Sequence, residues 1–156
     1  MEYERKKREQ NPVLAICYDF DKTLSPENMQ QGYIESVTGD DVDKFWRESN
    51  TLASENDMDR NLAYMYKMIK EAHGRLIVNK KALQEYGNKV RLYNGVTGWF
   101  DRIRLYGKNQ NVKVEHYIIS SALKEMIEGT TIARNGAFEK IYASSFYYDD
   151  QGVAEW

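Results

Sequence analysis

Six uninterrupted apolar residues, Val13-Leu14-Ala15-Ile16-Cys17-Tyr18, stand between Pro12 and the acid-bearing segment Asp19-Phe20-Asp21-Lys22-Thr23-Leu24. Their hydrophobicity is continuous rather than alternating and partly β-branched, the pattern of a parallel strand covered on both faces. Buried parallel strands belong to α/β folds, in which helices cross between strands and ligands bind beyond the strands' carboxyl ends. The segment Asp19–Leu24 therefore lies where such a fold builds a site. The single cysteine, Cys17, falls inside the run and is expected to be a buried thiol.

The rest of the chain supplies the crossovers. Residues 1–10 read as a frayed helix or solvated tail. Ser25-Pro26-Glu27 reads as a helix start, with Ser25 as N-cap and Pro26 in the first turn. Up to about residue 90 the pattern is helical. Tyr33, Ile34 and Val37 form one apolar face, Phe45 and Trp46 another, and Met58, Leu62, Met65, Tyr66 and Ile69 a third, with Gly39, Gly74 and Gly87 as punctuation. Asn94-Gly95-Val96 is turn-like, and Thr97 is placed to cap a helix through Leu105 that Gly107 ends. A second strand is expected over Val112–Ile119, a helix over Leu123–Ile127, and a third strand over Ile141–Tyr148. Asp149-Asp150-Gln151-Gly152 then reads as a hairpin turn. The expected fold is α/β, a Rossmann-like three-layer core around a parallel sheet from residues 1–25 and 91–156, with an α-helical cap inserted at 26–90.

With 156 residues, 42% of them hydrophobic, the chain can bury one core but hardly two. Charged residues are 29% of the chain yet leave a net charge of only −2, so neither nucleic acid nor an anionic membrane is expected as a partner. No apolar run approaches the about 20 residues of a membrane span, and the basic N-terminus precedes no signal-peptide core. A cytoplasmic setting is expected.

Two carboxylates at the end of a buried strand repel each other and resist desolvation unless a cation or a substrate compensates them. Carboxylate oxygens suit magnesium, which takes few protein ligands and keeps its other positions for phosphate and water. An Asp-x-Asp by itself is equally at home in a solvated loop. Its place after the apolar strand, with Thr23 two residues on, favours a site.

Asp19-Phe20-Asp21-Lys22-Thr23-Leu24 matches the first motif, Asp-x-Asp-x-Thr, of the haloacid-dehalogenase-like hydrolases. The chain resembles that family in outline over nearly its whole length. The resemblance implies a magnesium-dependent phosphatase acting on a small phosphorylated metabolite. Asp19 would be the nucleophile that forms an aspartyl-phosphate, Asp21 the general acid and base, and both would hold the magnesium. Thr23 and Ser120 would bind phosphate, Ser120 matching the second motif after His116-Tyr117-Ile118-Ile119. Ser121 is the alternative, since either hydroxyl could instead cap the following helix. The helical insert and Asn94-Gly95-Val96 resemble the phosphoserine-phosphatase-like branch, in which a helical cap closes over the site. There the acid that grips the substrate's amine falls near Glu27, but the register places Asn28 at the position, which argues against an amino-acid substrate. Arg47 and Arg60 in the cap could meet an anion, although solvated helix faces explain them more simply. His73 and His116 lack paired ligand spacing and read as structural.

The family's lysine and its later metal-binding acids find no place before Trp156, since Lys124 and Lys140 are the lysines between Ser120 and Asp149 and neither has the right setting. The expectation is a chain truncated at its C-terminus. The sheet edge and apolar face beside the first strand would then be bare, favouring a homo-oligomer. The rival expectation is a noncatalytic or phosphoacceptor binding module of the same fold.

Overall fold

The computed structural model describes residues 11–39 and 41–155; the charged arm 1–10 lies outside them. Three parallel strands, β1 (Val13–Tyr18), β2 (Lys113–Leu123) and β3 (Lys140–Ser144), form one sheet in the order β1-β2-β3. Between β1 and β2 run α1 (Gln31–Thr38), α2 (Val42–Glu55), α3 (Arg60–Ala72), α4 (Lys80–Asn88) and α5 (Val96–Asn109). Between β2 and β3 lie the short α6 (Lys124–Gly129) and α7 (Thr131–Arg134). The α/β class, the parallel sheet and the helical insert are as expected from the sequence.

Register decides which side chains are covered. Val13 pairs with Lys113 and Tyr18 with Ile118, so Leu14, Ile16 and Tyr18 share a face with Val114, His116 and Ile118. Helix α5 lies on that face, and its Phe100 meets both Tyr18 and His116 edge to face. His116 is fully buried. Its Nε2 faces the carbonyl of Phe100 and so must carry the proton, while Nδ1 accepts from the Tyr18 hydroxyl at 3.0 Å. Burial, then the Arg104 charge, hold its pKa below the ordinary histidine value. His116 is structural, as expected.

The opposite face is open among the described residues. Val13 is 46% exposed, Ile119 58% and Tyr142 50%, and Cys17 is exposed. The expectation of a first strand covered on both faces, with a buried thiol, is therefore overturned. β1 is an edge strand with β2 as its neighbour in this sheet, and even on the covered side Leu14 is 51% exposed.

The helical insert also departs from its sequence pattern. No helix begins at Ser25. The carbonyl of Phe20 accepts from the amides of Thr23, Leu24 and Ser25, which tightens the chain into a turn, and the Ser25 hydroxyl donates to the Glu27 carbonyl at 2.7 Å. The first helix waits until Gln31 and ends at Gly39, whose φ of 64° is the left-handed cap conformation. Asp41, Asp59 and Asn79 cap α2, α3 and α4 by accepting first-turn amides. On α3 the buried residues are Ala63, Tyr64, Met65, Lys67, Met68 and Ala72, while Leu62 and Tyr66 are exposed, so the expected face is rotated. Lys67 is admitted because its ammonium meets Glu48 at 2.7 Å and Glu71 at 2.9 Å.

Gly87 lies within α4 rather than ending it, because α4 packs backbone to backbone on α6. A Cβ at Gly87 would stand 1.9 Å from the Met126 carbonyl oxygen, and one at Gly129 would stand 2.1 Å from that of Gln84. Helix α5 starts at Val96 behind Gly95 (φ 88°) instead of being capped by Thr97. β2 continues through Ser120 and Ser121 to Leu123, four residues beyond its expected end. The 149–152 turn is present. The Asp149 carboxylate accepts from the amides of Gln151 and Val153, and Tyr148 bridges Ala154.

Candidate active site at the carboxyl ends of the strands

Asp19 follows directly on Tyr18, which pairs with Ile118, and Ser120 stands two residues past Ile118 on the next strand. The two side chains thus emerge at the same end of adjacent strands. Asp19 is exposed, with its carboxylate accepting from the amide of Phe20 at 2.7 Å. Lys22 takes a left-handed conformation (φ 61°), turning the chain back on itself after Asp21. Phe20 and Leu24, both buried, anchor the loop in the core.

Asp21 differs from Asp19 in its surroundings. Its side chain is turned inward, where Oδ1 accepts from the Met29 amide at 2.9 Å. Burial is the main influence and raises its pKa to about 6. The negative charge of Asp19 adds to the rise, and the Met29 bond and Lys22 oppose it. One carboxylate that stays open to solvent and a second poised near neutral pH form an asymmetric pair, the arrangement that separates a nucleophile from a proton donor.

The Ser120 hydroxyl oxygen accepts from the Ala122 amide at 3.2 Å, which leaves its own hydrogen for another acceptor. Because β2 continues to Leu123, α6 begins four residues after Ser120 and neither Ser120 nor Ser121 caps it. The helix expected over Leu123–Ile127 is present as α6, starting one residue later, and the alternative of a serine cap is not met. Thr23 is exposed, with its amide bonded to the Phe20 carbonyl. Glu27 and Asn28 line a cavity of about 380 Å³ with Glu35, Lys89 and Arg91, where Arg91 pairs with Glu27 at 3.0 Å. Arg47 and Arg60 are exposed on their helices.

Asp19 and Asp21 present hard oxygen donors; burial first, and the Asp19 charge after it, raise the pKa of Asp21, and a cation would relieve both. In donor type and number they fit magnesium, which accepts one or two carboxylates and retains waters. Among the described residues no group of three or more Asp, Glu, His or Cys is arranged to hold a metal ion.

Behind the loop lies a polar cluster with no sequence motif. The Tyr64 hydroxyl, from α3, donates to the Ser121 carbonyl at 2.8 Å, tying the helical insert to the end of β2. Gln30 and Glu125 are 2% and 3% exposed. The Ser145 hydroxyl, just past β3, donates to Glu125 Oε1. Four segments distant in sequence contribute, and none has a periodic or spaced signal that would have joined them.

No protein-family model matches this chain. An uncharacterized protein of Borreliella burgdorferi is 30% identical over 149 residues, covering 88% of this chain and 51% of that protein. Solved structures resemble the fold, three of them as follows. A phosphoserine phosphohydrolase-like protein from Francisella tularensis matches with a TM-score of 0.58 at 18% identity, covering 94% of this chain and 63% of the other. A HAD family hydrolase from Salmonella enterica serovar Typhi matches at 0.59 and 16%, covering 93% and 45%. A phosphoserine phosphatase, solved as a phospho-aspartyl intermediate analogue, matches at 0.58 and 13%, covering 92% and 61%. The chain thus spans about half the length of the curated relative it matches and between 45% and 63% of these solved chains. At such identities the likeness speaks for the fold, and the fold of this chain is that of the haloacid-dehalogenase-like hydrolases.

Proposed function

We propose that the protein is a magnesium-dependent phosphatase of small phosphorylated metabolites, working through an aspartyl-phosphate on Asp19. The observation that carries this reading is the asymmetry of the acid pair, Asp19 exposed at the end of β1 and Asp21 half-buried with a pKa of about 6. The Asp19 carboxylate attacks phosphorus as the bond to the leaving oxygen breaks. Asp21, protonated, gives that oxygen its proton, so that the product leaves as an alcohol and Asp21 remains as a carboxylate. In the second step Asp21 takes a proton from water, whose oxygen attacks phosphorus, and the Asp19–phosphate bond breaks. Ser120 and Thr23 would hydrogen-bond the phosphoryl oxygens. Magnesium, held by Asp19 and Asp21, would offset the charge between carboxylate and phosphate when bound. Residues 26–90 would serve as a cap that excludes water from the site.

The test is hydrolysis of p-nitrophenyl phosphate with magnesium, together with the melting temperature in magnesium and beryllofluoride. Wild-type protein should turn over the ester and be stabilised by beryllofluoride, and Asp19→Asn should lose both. Undiminished turnover in Asp19→Asn would sink the proposal. Stabilisation without turnover would favour the noncatalytic or phosphoacceptor module instead.

A further inference from the structure

The chain of β2 loses its strand partners before the strand itself ends. Its pairing with β1 stops at Ile118, and its pairing with β3 breaks between Ile119 and Leu123. Ser120, Ser121 and Ala122 therefore have no strand partner among the described residues, although Ala122 is buried. Backbone polar groups in such a stretch need other partners. Two are present, and they fall on one peptide unit. The Ser121 carbonyl accepts from the Tyr64 hydroxyl at 2.8 Å. The Ala122 amide, at the other end of the same planar group, donates to the Ser120 hydroxyl oxygen at 3.2 Å.

A trans peptide is rigid and holds its C=O and N–H antiparallel, so a donor that fixes one end fixes the direction of the other. Hydrogen bonds in series also polarise one another, and a carbonyl that accepts makes the N–H of its own peptide a better donor. The contacts run from Tyr64 on α3, through the Ser121–Ala122 peptide, to the Ser120 oxygen, and leave the Ser120 hydrogen for a further acceptor. Tyr64 itself is firmly held. It is 5% exposed, and its ring lies 5.7 Å from that of Trp46 between centroids. Burial first of all holds its phenol above the ordinary pKa, so the hydroxyl keeps the proton it donates. The residue belongs to the helical insert and stands 57 positions before Ser121 in sequence.

We propose that Tyr64 is a positioning residue for Ser120: the hydroxyl from the insert sets the Ser121–Ala122 peptide, and that peptide sets the Ser120 hydroxyl at the phosphoryl group. The hydrogen-bonded series does not depend on the reaction, whereas the role of Ser120 rests on the phosphatase reading. The insert is then more than a cover. Phosphoryl binding at the end of β2 depends on α3 being seated.

Tyr64→Phe keeps the ring and removes the hydroxyl alone. Hydrogen exchange followed by NMR on the intact chain reads the peptide directly. The Ala122 amide should exchange about 5-fold faster than in wild type, while those of Ile118 in β2 and Met68 in α3 change by less than about 2-fold. Unchanged exchange at Ala122, or a uniform rise at all three, overturns the proposal. Turnover of p-nitrophenyl phosphate with magnesium adds a readout that general loosening would not give. Tyr64→Phe should lower kcat about 5-fold when Ser120 is present and less than about 2-fold in the Ser120→Ala background, because it acts through that hydroxyl. Equal losses in the two backgrounds overturn the proposal as well. If wild type shows no turnover while Ala122 exchange still responds to Tyr64→Phe, the phosphatase reading fails and the positioning of Ser120 stands.

Discussion

Asp21 carries a penalty for being turned inward. Its folded pKa is raised from 3.8 to about 6, so between those values the folded chain holds a proton that the unfolded chain has released. Stability therefore falls as pH rises through that window and stays lower above it, by about 3 kcal/mol at most for a shift of this size. In metal-free buffer Asp21→Asn, which can still accept from Met29, should gain melting temperature over wild type between pH 4 and 7. A difference that is flat with pH would contradict the assignment. The same variant should lose activity by 100-fold or more, as expected for removal of a general acid. Stability and activity thus move in opposite directions at one residue, the mark of a functional carboxyl. The Asp-x-Asp pair was legible because its strand, its spacing and Thr23 are contiguous. The meeting of Tyr64 with Ser121, and of Ser145 with Glu125, was not, because each forms only after distant segments have packed.

Among the elements, the contact of α4 with α6 is the most sensitive to size. Gly87→Ala would drive a methyl group into the Met126 carbonyl, and backbone cannot yield as a side-chain tip does. A loss of about 3 kcal/mol or more is expected in urea unfolding. Gly74→Ala is the control. Its φ is 74° but nothing lies within 4 Å of the added atom, so only left-handed strain applies, roughly 1 kcal/mol. Equal losses at the two sites would refute the packing account. Sequence periodicity found the helices but rotated the buried face of α3 and took Gly87 for a break. Periodicity reports where apolar residues recur. It does not report that paired carboxylates on α2 and α3 will admit Lys67, or that a neighbouring helix needs a glycine to approach.

At the scale of the molecule, among the described residues the sheet leaves β1 with a free edge and an apolar face bearing Val13, Cys17, Ile119 and Tyr142. The strand has no charge, proline or bulge within it to discourage pairing. Self-association through this edge is expected, measured as a concentration-dependent sedimentation coefficient, and Leu14→Lys should weaken it at least 10-fold. An unchanged association constant would place the contact elsewhere. No helix among the described residues is long and apolar enough to cross a membrane. By itself the sequence determined that residues 13–18 form a strand, that helices separate it from the next, and that the loop after it bears two acids, because each is a local pattern of side chains along the chain. Tertiary structure alone decided which faces of that strand are covered, which of the two acids is turned inward, and that Tyr64 reaches Ser121 and Ser145 reaches Glu125. Burial and electrostatic environment depend on neighbours brought together from distant positions, and no local pattern encodes them.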